Sequence, residues 1–119
     1  MKPTYSIKQN FLYAMDGFKE LLKEPAFKIE VLSFLVAVAV LFVLPYPLWA
    51  KLFMFSSLLV PLIAEALNTA IEKTVDLMTT EYHVFAKHAK DIAAFGVLIS
   101  IGIPIFVWLG FILYFEARL

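Results

Sequence analysis

Cysteine is absent from this chain of 119 residues, which excludes disulfides and thiolate zinc sites and leaves the redox compartment unspecified. Glycine is almost as scarce. Gly17, Gly96, Gly102 and Gly110 are dispersed, so no G-x-x-x-x-G-K-S/T loop can cradle a phosphate. Ten basic residues balance ten acidic ones, and a net charge of zero gives no reason to expect nucleic acid. The N-terminal stretch lacks the apolar core after a basic start that marks a cleavable signal peptide, so none is expected. His83 and His88 are the only histidines, and residues of this kind are more often ordinary loop positions than ligands.

What is abundant is apolar sequence. With 62% hydrophobic residues, 16% aromatics and a mean hydropathy of +0.85, the chain reads as an integral membrane protein without linkers or repeats, a single domain over 1–119. Residues 5–23 place Ile7, Phe11, Leu12, Met15, Phe18 and Leu22 at helical spacing among charges, which predicts an amphipathic helix lying in the membrane interface. Glu24-Pro25 breaks it, because proline disfavours α geometry at the preceding residue. Apolar runs then predict membrane spans over 27–44, 52–78 and 92–115. Trp49 and Trp108 read as interface or packing aromatics, and Pro104 as a proline tolerated within a span. Lysines cluster before the first span and around the 79–91 connection, whereas the first connection carries Lys51 alone. The N-terminus and the second connection are therefore expected in the cytoplasm.

The second span departs from this pattern. After the apolar run LFMFSSLLVPLIA it continues as EALNTAIEKTVDL, bringing Glu65, Asn68, Glu72 and Asp76 into a helix. At about 100° per residue, Glu65, Glu72 and Asp76 fall within roughly 40° on one face, with Asn68 on its flank. Carboxylates at membrane depth are expensive and are functional-site candidates by default. Glu72 and Asp76, one turn apart, suit a hard cation such as Mg²⁺, which needs only one or two carboxylates plus phosphates and water. Lys90 and Asp91 lie where they can return to the same mouth and meet a phosphate. Glu65, deeper and beside other negative charge, is placed as a proton acceptor, and a lipid hydroxyl is the natural nucleophile at that depth. No serine, threonine or cysteine stands as an obvious phosphate-accepting nucleophile, which favours direct in-line transfer.

The run from Glu65 to Asp76 resembles the E-x-x-N-S/T-A-I/L-E-x-x-V-D motif of the prokaryotic diacylglycerol kinase family. The likeness continues through Glu81-Tyr82-His83 and Ala89-Lys90-Asp91, and Glu24-Pro25-Ala26-Phe27-Lys28-Ile29-Glu30 is similar to the family's E-x-A-F-R/K-x-E segment. The resemblance implies an all-α membrane protein with a surface helix and three spans per chain, assembled as a homotrimer with sites shared between neighbours. It further implies transfer of the ATP γ-phosphate to diacylglycerol with Mg²⁺, in the bacterial inner membrane. On the same basis Glu65 corresponds to the general base, and Glu24 and Glu72 to the metal-holding carboxylates. Tyr13, Glu24, Asn68, Glu72, Asp76, Glu81, Tyr82, His83, Lys90 and Asp91 correspond to nucleotide contacts. Ala26, Phe27, Lys28, Ile29, Glu30 and Glu65 correspond to the lipid-binding wall. Near the N-terminus, Ala14 and Asp16 stand where the family has a serine and a basic residue.

Other readings address the same residues. The carboxylates of the acidic face can pair with lysines simply to hold helices together, and Lys28 can snorkel to headgroups. The same family includes undecaprenol kinases, so a polyprenol is an alternative acceptor. A cation- or proton-coupled transport subunit is an alternative of another class, although it favours ionisable residues along the full membrane depth. Here the outward half of the second span is apolar.

Overall fold

Residues 6–118 are described by a computed structural model in which four helices follow one another, α1 (Ile7–Leu21), α2 (Pro25–Val43), α3 (Leu48–Met78) and α4 (Val84–Glu116). The Ser6 side chain starts α1 by accepting the Gln9 N–H at 3.3 Å. No residue of α1 is buried, and Ile7 and Phe11 are exposed, as expected of a helix whose apolar face rests on something other than its own chain. Phe18 meets Phe27 edge to face at 6.0 Å, tying α1 to the start of α2. Pro25 then occupies the first turn of α2, where a missing N–H costs nothing.

The helices α2, α3 and α4 are each long and apolar enough to cross a membrane. Two bounds differ from those read in the sequence. The span expected from residue 52 begins at Leu48, because Pro47 supplies the extended residue before the helix and Leu48, Trp49 and Ala50 continue the apolar run. The helix that carries the span expected from residue 92 begins at Val84, since His83 caps it by accepting the Phe85 N–H at Nδ1 (3.1 Å). A Lys87–Asp91 ion pair one turn apart supports the polar first turns. The connection read as 79–91 thus shrinks to residues 79–83.

The principal pairing is α3 against α4, with α2 packed on α3. At the end formed by the α2–α3 turn the core is apolar. Leu41, Tyr46, Ala50 and Met54 are buried against Val107, Trp108, Phe111 and Phe115. Tyr46 stacks on Phe115 at 4.6 Å and donates its hydroxyl proton to Glu116 Oε1 at 3.0 Å. Burial, followed by the bond to the Glu116 carboxylate and its charge, raises the Tyr46 phenol above its usual value of 10.0. Toward the other end the buried positions of α3 turn polar, with Ser57, Glu65, Asn68 and Thr69. Much of the outer surface is large and apolar, Phe42 and Phe106 among it, which is the composition lipid requires.

Helix lengths set the levels. The 19 residues of α2 rise about 28 Å, close to one bilayer core. Glu24, just before α2, lies beside Lys73 of α3 (3.7 Å), so the membrane edge on α3 falls near Lys73. Glu65 is then about 12 Å inside, and Glu30 on α2 lies about 9 Å beyond Glu24. The last turns of α3 and the first turns of α4 stand beyond that edge.

Candidate active site

On α3 the helical period delivers the expected face, and burial grades along it. Glu65 and Asn68 retain 7% and 8% of their exposure, whereas Glu72 and Asp76 are open. Asn68 Nδ2 donates to Glu72 Oε1 at 2.6 Å, and Asn68 also engages Glu65, so one amide ties together the deep and the shallow carboxylate. The charges of Glu72 and Glu24 act on Glu65, and the charge of Glu65 acts on Glu30. Four carboxylates from the α1–α2 junction, α2 and α3 are therefore linked through Glu65 by their charges within one chain. Two acceptors of this group are incompletely satisfied: Glu30 Oε2 and Asn68 Oδ1 are shielded from solvent without a hydrogen-bond partner. Unpartnered buried acceptors of this kind call for a donor from outside the chain.

One turn beyond Glu72, Asp76 Oδ1 accepts from Lys90 Nζ at 2.7 Å, which fixes the tops of α3 and α4 to each other. Glu81, Tyr82, His83, Lys87, Lys90 and Asp91 line one polar pocket of about 240 Å³ at this end. The five residues of this set expected near a nucleotide are thus brought together. Thr79 shapes the short connection by accepting the Glu81 N–H at 3.1 Å. A second crevice, about 420 Å³, separates Ala14, Gly17 and Phe18 of α1 from Ala66, Thr69 and Lys73 of α3. Tyr13, an exposed residue of α1, adjoins it in sequence.

The stretch expected to form a lipid-facing wall divides in two. Ala26, Lys28 and Ile29 are exposed, Glu30 is half-buried, and Phe27 is buried at 4% in the joint with Phe18. Lys73 was not singled out from the sequence, yet it is the basic partner of Glu24. Its position directly after Glu72 was the available signal. Among the described residues no group of three or more histidine, aspartate or glutamate side chains converges as a metal cage. The hard oxygens of Glu24 and Glu72 nevertheless fit an ion that takes most of its ligands from phosphate and water.

A helical, multi-pass membrane protein with a polar, carboxylate-lined site at one end of its bundle is the class these features define. The sequence profile described as prokaryotic diacylglycerol kinase matches residues 12–112. The diacylglycerol kinase of Escherichia coli (strain K12) is 34% identical over 87 residues, covering 73% of this chain and 71% of that protein. That of Haemophilus influenzae (strain ATCC 51907 / DSM 11121 / KW20 / Rd) is 35% identical over 104 residues, 87% of each chain. A third, from Pseudomonas aeruginosa, is 33% identical over 97 residues, 81% of this chain and 79% of its own. The chain belongs to the prokaryotic diacylglycerol kinase family. Membership of that bacterial family supports a lipid-kinase function.

Proposed function

We propose that this chain phosphorylates diacylglycerol with ATP, giving phosphatidic acid and ADP. The observation that carries the reading is Glu65, buried about 12 Å inside the membrane edge and tied through Asn68 to the exposed Glu72. A lipid hydroxyl reaches that depth and a nucleotide does not, so the two substrates meet between these residues. The acceptor oxygen attacks the γ-phosphorus, the bond to the β–γ bridging oxygen breaks, and ADP departs with that electron pair. The hydroxyl proton passes to the Glu65 carboxylate. Glu24 and Glu72 are the carboxylates that would hold Mg²⁺, which when bound with ATP offsets charge on the phosphates. Lys90, fixed by Asp76, supplies positive charge at the mouth, and the pocket of Glu81, Tyr82, His83 and Asp91 receives the nucleotide. Tyr13, Asn68 and Asp76 complete its surroundings, while Ala26, Lys28, Ile29 and Glu30 face the lipid.

In this reading the protein is a homotrimer in the bacterial cytoplasmic membrane, with its N-terminus in the cytoplasm. Each chain supplies its own Glu24, Glu65 and Glu72, and a neighbour closes the open side of the acidic face. The test is a side-by-side assay of purified protein with MgATP and either diacylglycerol or undecaprenol. Lipid-dependent ADP release with preference for diacylglycerol is expected. Preference for undecaprenol reassigns the acceptor, and ADP release indifferent to both lipids overturns the kinase reading.

A further inference from the structure

Beside the acidic face of α3, one residue step around the helix, runs a second face built of Ala66, Thr69, Ala70 and Lys73. It lines the crevice toward α1, so Lys73 is the charge that stands at the seam between the two faces. The small residues below it leave room for the lysine stem, and its ammonium lies 3.7 Å from Glu24 Oε1. The Lys73 charge also acts on Glu20 near the end of α1.

The other ion pairs of this region are hydrogen-bonded and involve carboxylates given no part in holding metal. Lys23 donates to Glu20 at 2.8 Å, Lys90 to Asp76 at 2.7 Å, and Lys87 to Asp91. Lys73 differs on both counts. At 3.7 Å its contact with Glu24 is one of charge without a hydrogen bond, and the two side chains keep 59% and 39% of their exposure. A pair of this kind contributes little to stability and is readily exchanged. Its carboxylate is nevertheless one of the two that would hold a divalent cation. Such a cation is repelled by the neighbouring ammonium unless an anion takes the ammonium over, and the phosphates of a nucleotide are such an anion.

We propose that Lys73 is a positioning residue of the phosphotransfer site. It is the resident counter-ion of Glu24, yields that carboxylate to the divalent cation and turns to the nucleotide's phosphates. The bare site thus resists the cation, whereas cation and nucleotide are accepted together. This rests on the lipid-kinase reading above and adds to it a coupling between metal and nucleotide.

The experiment uses the purified full chain without lipid acceptor, with Mn²⁺ as a paramagnetic probe and the non-hydrolysable β,γ-imido analogue of ATP. Two dissociation constants are read by electron paramagnetic resonance: that of Mn²⁺ from the bare protein, and that of the Mn²⁺–analogue complex. Lys73→Met keeps the stem and removes the charge. The first constant is expected to fall about three- to tenfold and the second to rise by a similar factor. Lys73→Arg keeps both near the wild-type values. Lys73→Gln, equally uncharged, decides the matter if Lys73→Met does not fold. A lysine that only braced the α1–α2 joint gives the opposite sign, because a misplaced Glu24 loosens Mn²⁺ from the bare protein. That result, or constants equal to the wild type's, overturns the assignment. A wild type that binds neither Mn²⁺ nor its analogue complex overturns the lipid-kinase reading, and this role of Lys73 with it.

Discussion

At the scale of single residues, the chemistry rests on how differently four carboxylates are placed. Glu65 is buried beside Asn68, whereas Glu72 is open, so the first is suited to taking a proton and the second to meeting charged phosphates. Glu65→Gln keeps shape and hydrogen-bonding capacity while removing the basic oxygen. Turnover is expected to fall at least about a hundredfold, with thermal stability and MgATP affinity retained. Titrating activity with Mg²⁺ tests the other pair. Glu24→Ala and Glu72→Ala should each need more Mg²⁺ for half-maximal rate, and a requirement equal to the wild type's would remove them from the metal site. Glu116→Ala is the control, since Glu116 bonds Tyr46 and should change melting temperature rather than Mg²⁺ dependence. The face of Glu65, Glu72 and Asp76 was legible in the sequence because it depends only on the helical period. That Lys73 pairs with Glu24 was not. That contact depends on how the start of α2 is set against α3, which no spacing within one helix encodes.

At the scale of elements, the number and order of helices followed from apolar run lengths, and the structure corrects the connection read as 79–91, of which residues 84–91 belong to α4. The first turns of α4 are polar and yet helical rather than a loop. His83 and the Lys87–Asp91 pair stabilise them by local bonds that hydropathy does not register. At the opposite end, the α2–α3 turn is clamped to α4 through Tyr46 and Glu116. The native state holds the phenol proton more tightly than an unfolded chain does. Its stabilising effect is therefore complete below pH 10.0, the ordinary phenol value, and is lost as pH rises through the higher folded value. Melting temperature followed from neutral to strongly alkaline pH should drop in the wild type. In Tyr46→Phe it should start lower and depend less on pH. Identical alkaline profiles would show that the clamp does not contribute.

At the scale of the whole molecule, the contacts within one chain bear on how sites are divided in an oligomer. The break at Glu24-Pro25 is compatible with α1 reaching over a neighbour, yet Glu24 lies 3.7 Å from Lys73 of its own chain. Its charge also acts on its own chain's Glu65. Mixing inactive Glu65→Gln and Glu24→Ala subunits, with exchange verified by cross-linking, should therefore restore little activity. Every site in such a mixture lacks one of the two carboxylates. Recovery of a substantial part of the wild-type rate would mean that Glu24 serves a neighbouring Glu65, and that subunits share the reacting groups as well as the walls.

The central claim is that a buried carboxylate of α3 takes the proton while phosphate passes directly from ATP to a lipid. Phosphatidic acid formed from diacylglycerol and ATP by the purified chain, compared between the wild type and Glu65→Gln at matched folding, tests it most directly. The account predicts ATP-dependent phosphatidic acid from the wild type and about a hundredth of that rate or less from the variant. Equal rates in the two proteins would contradict it.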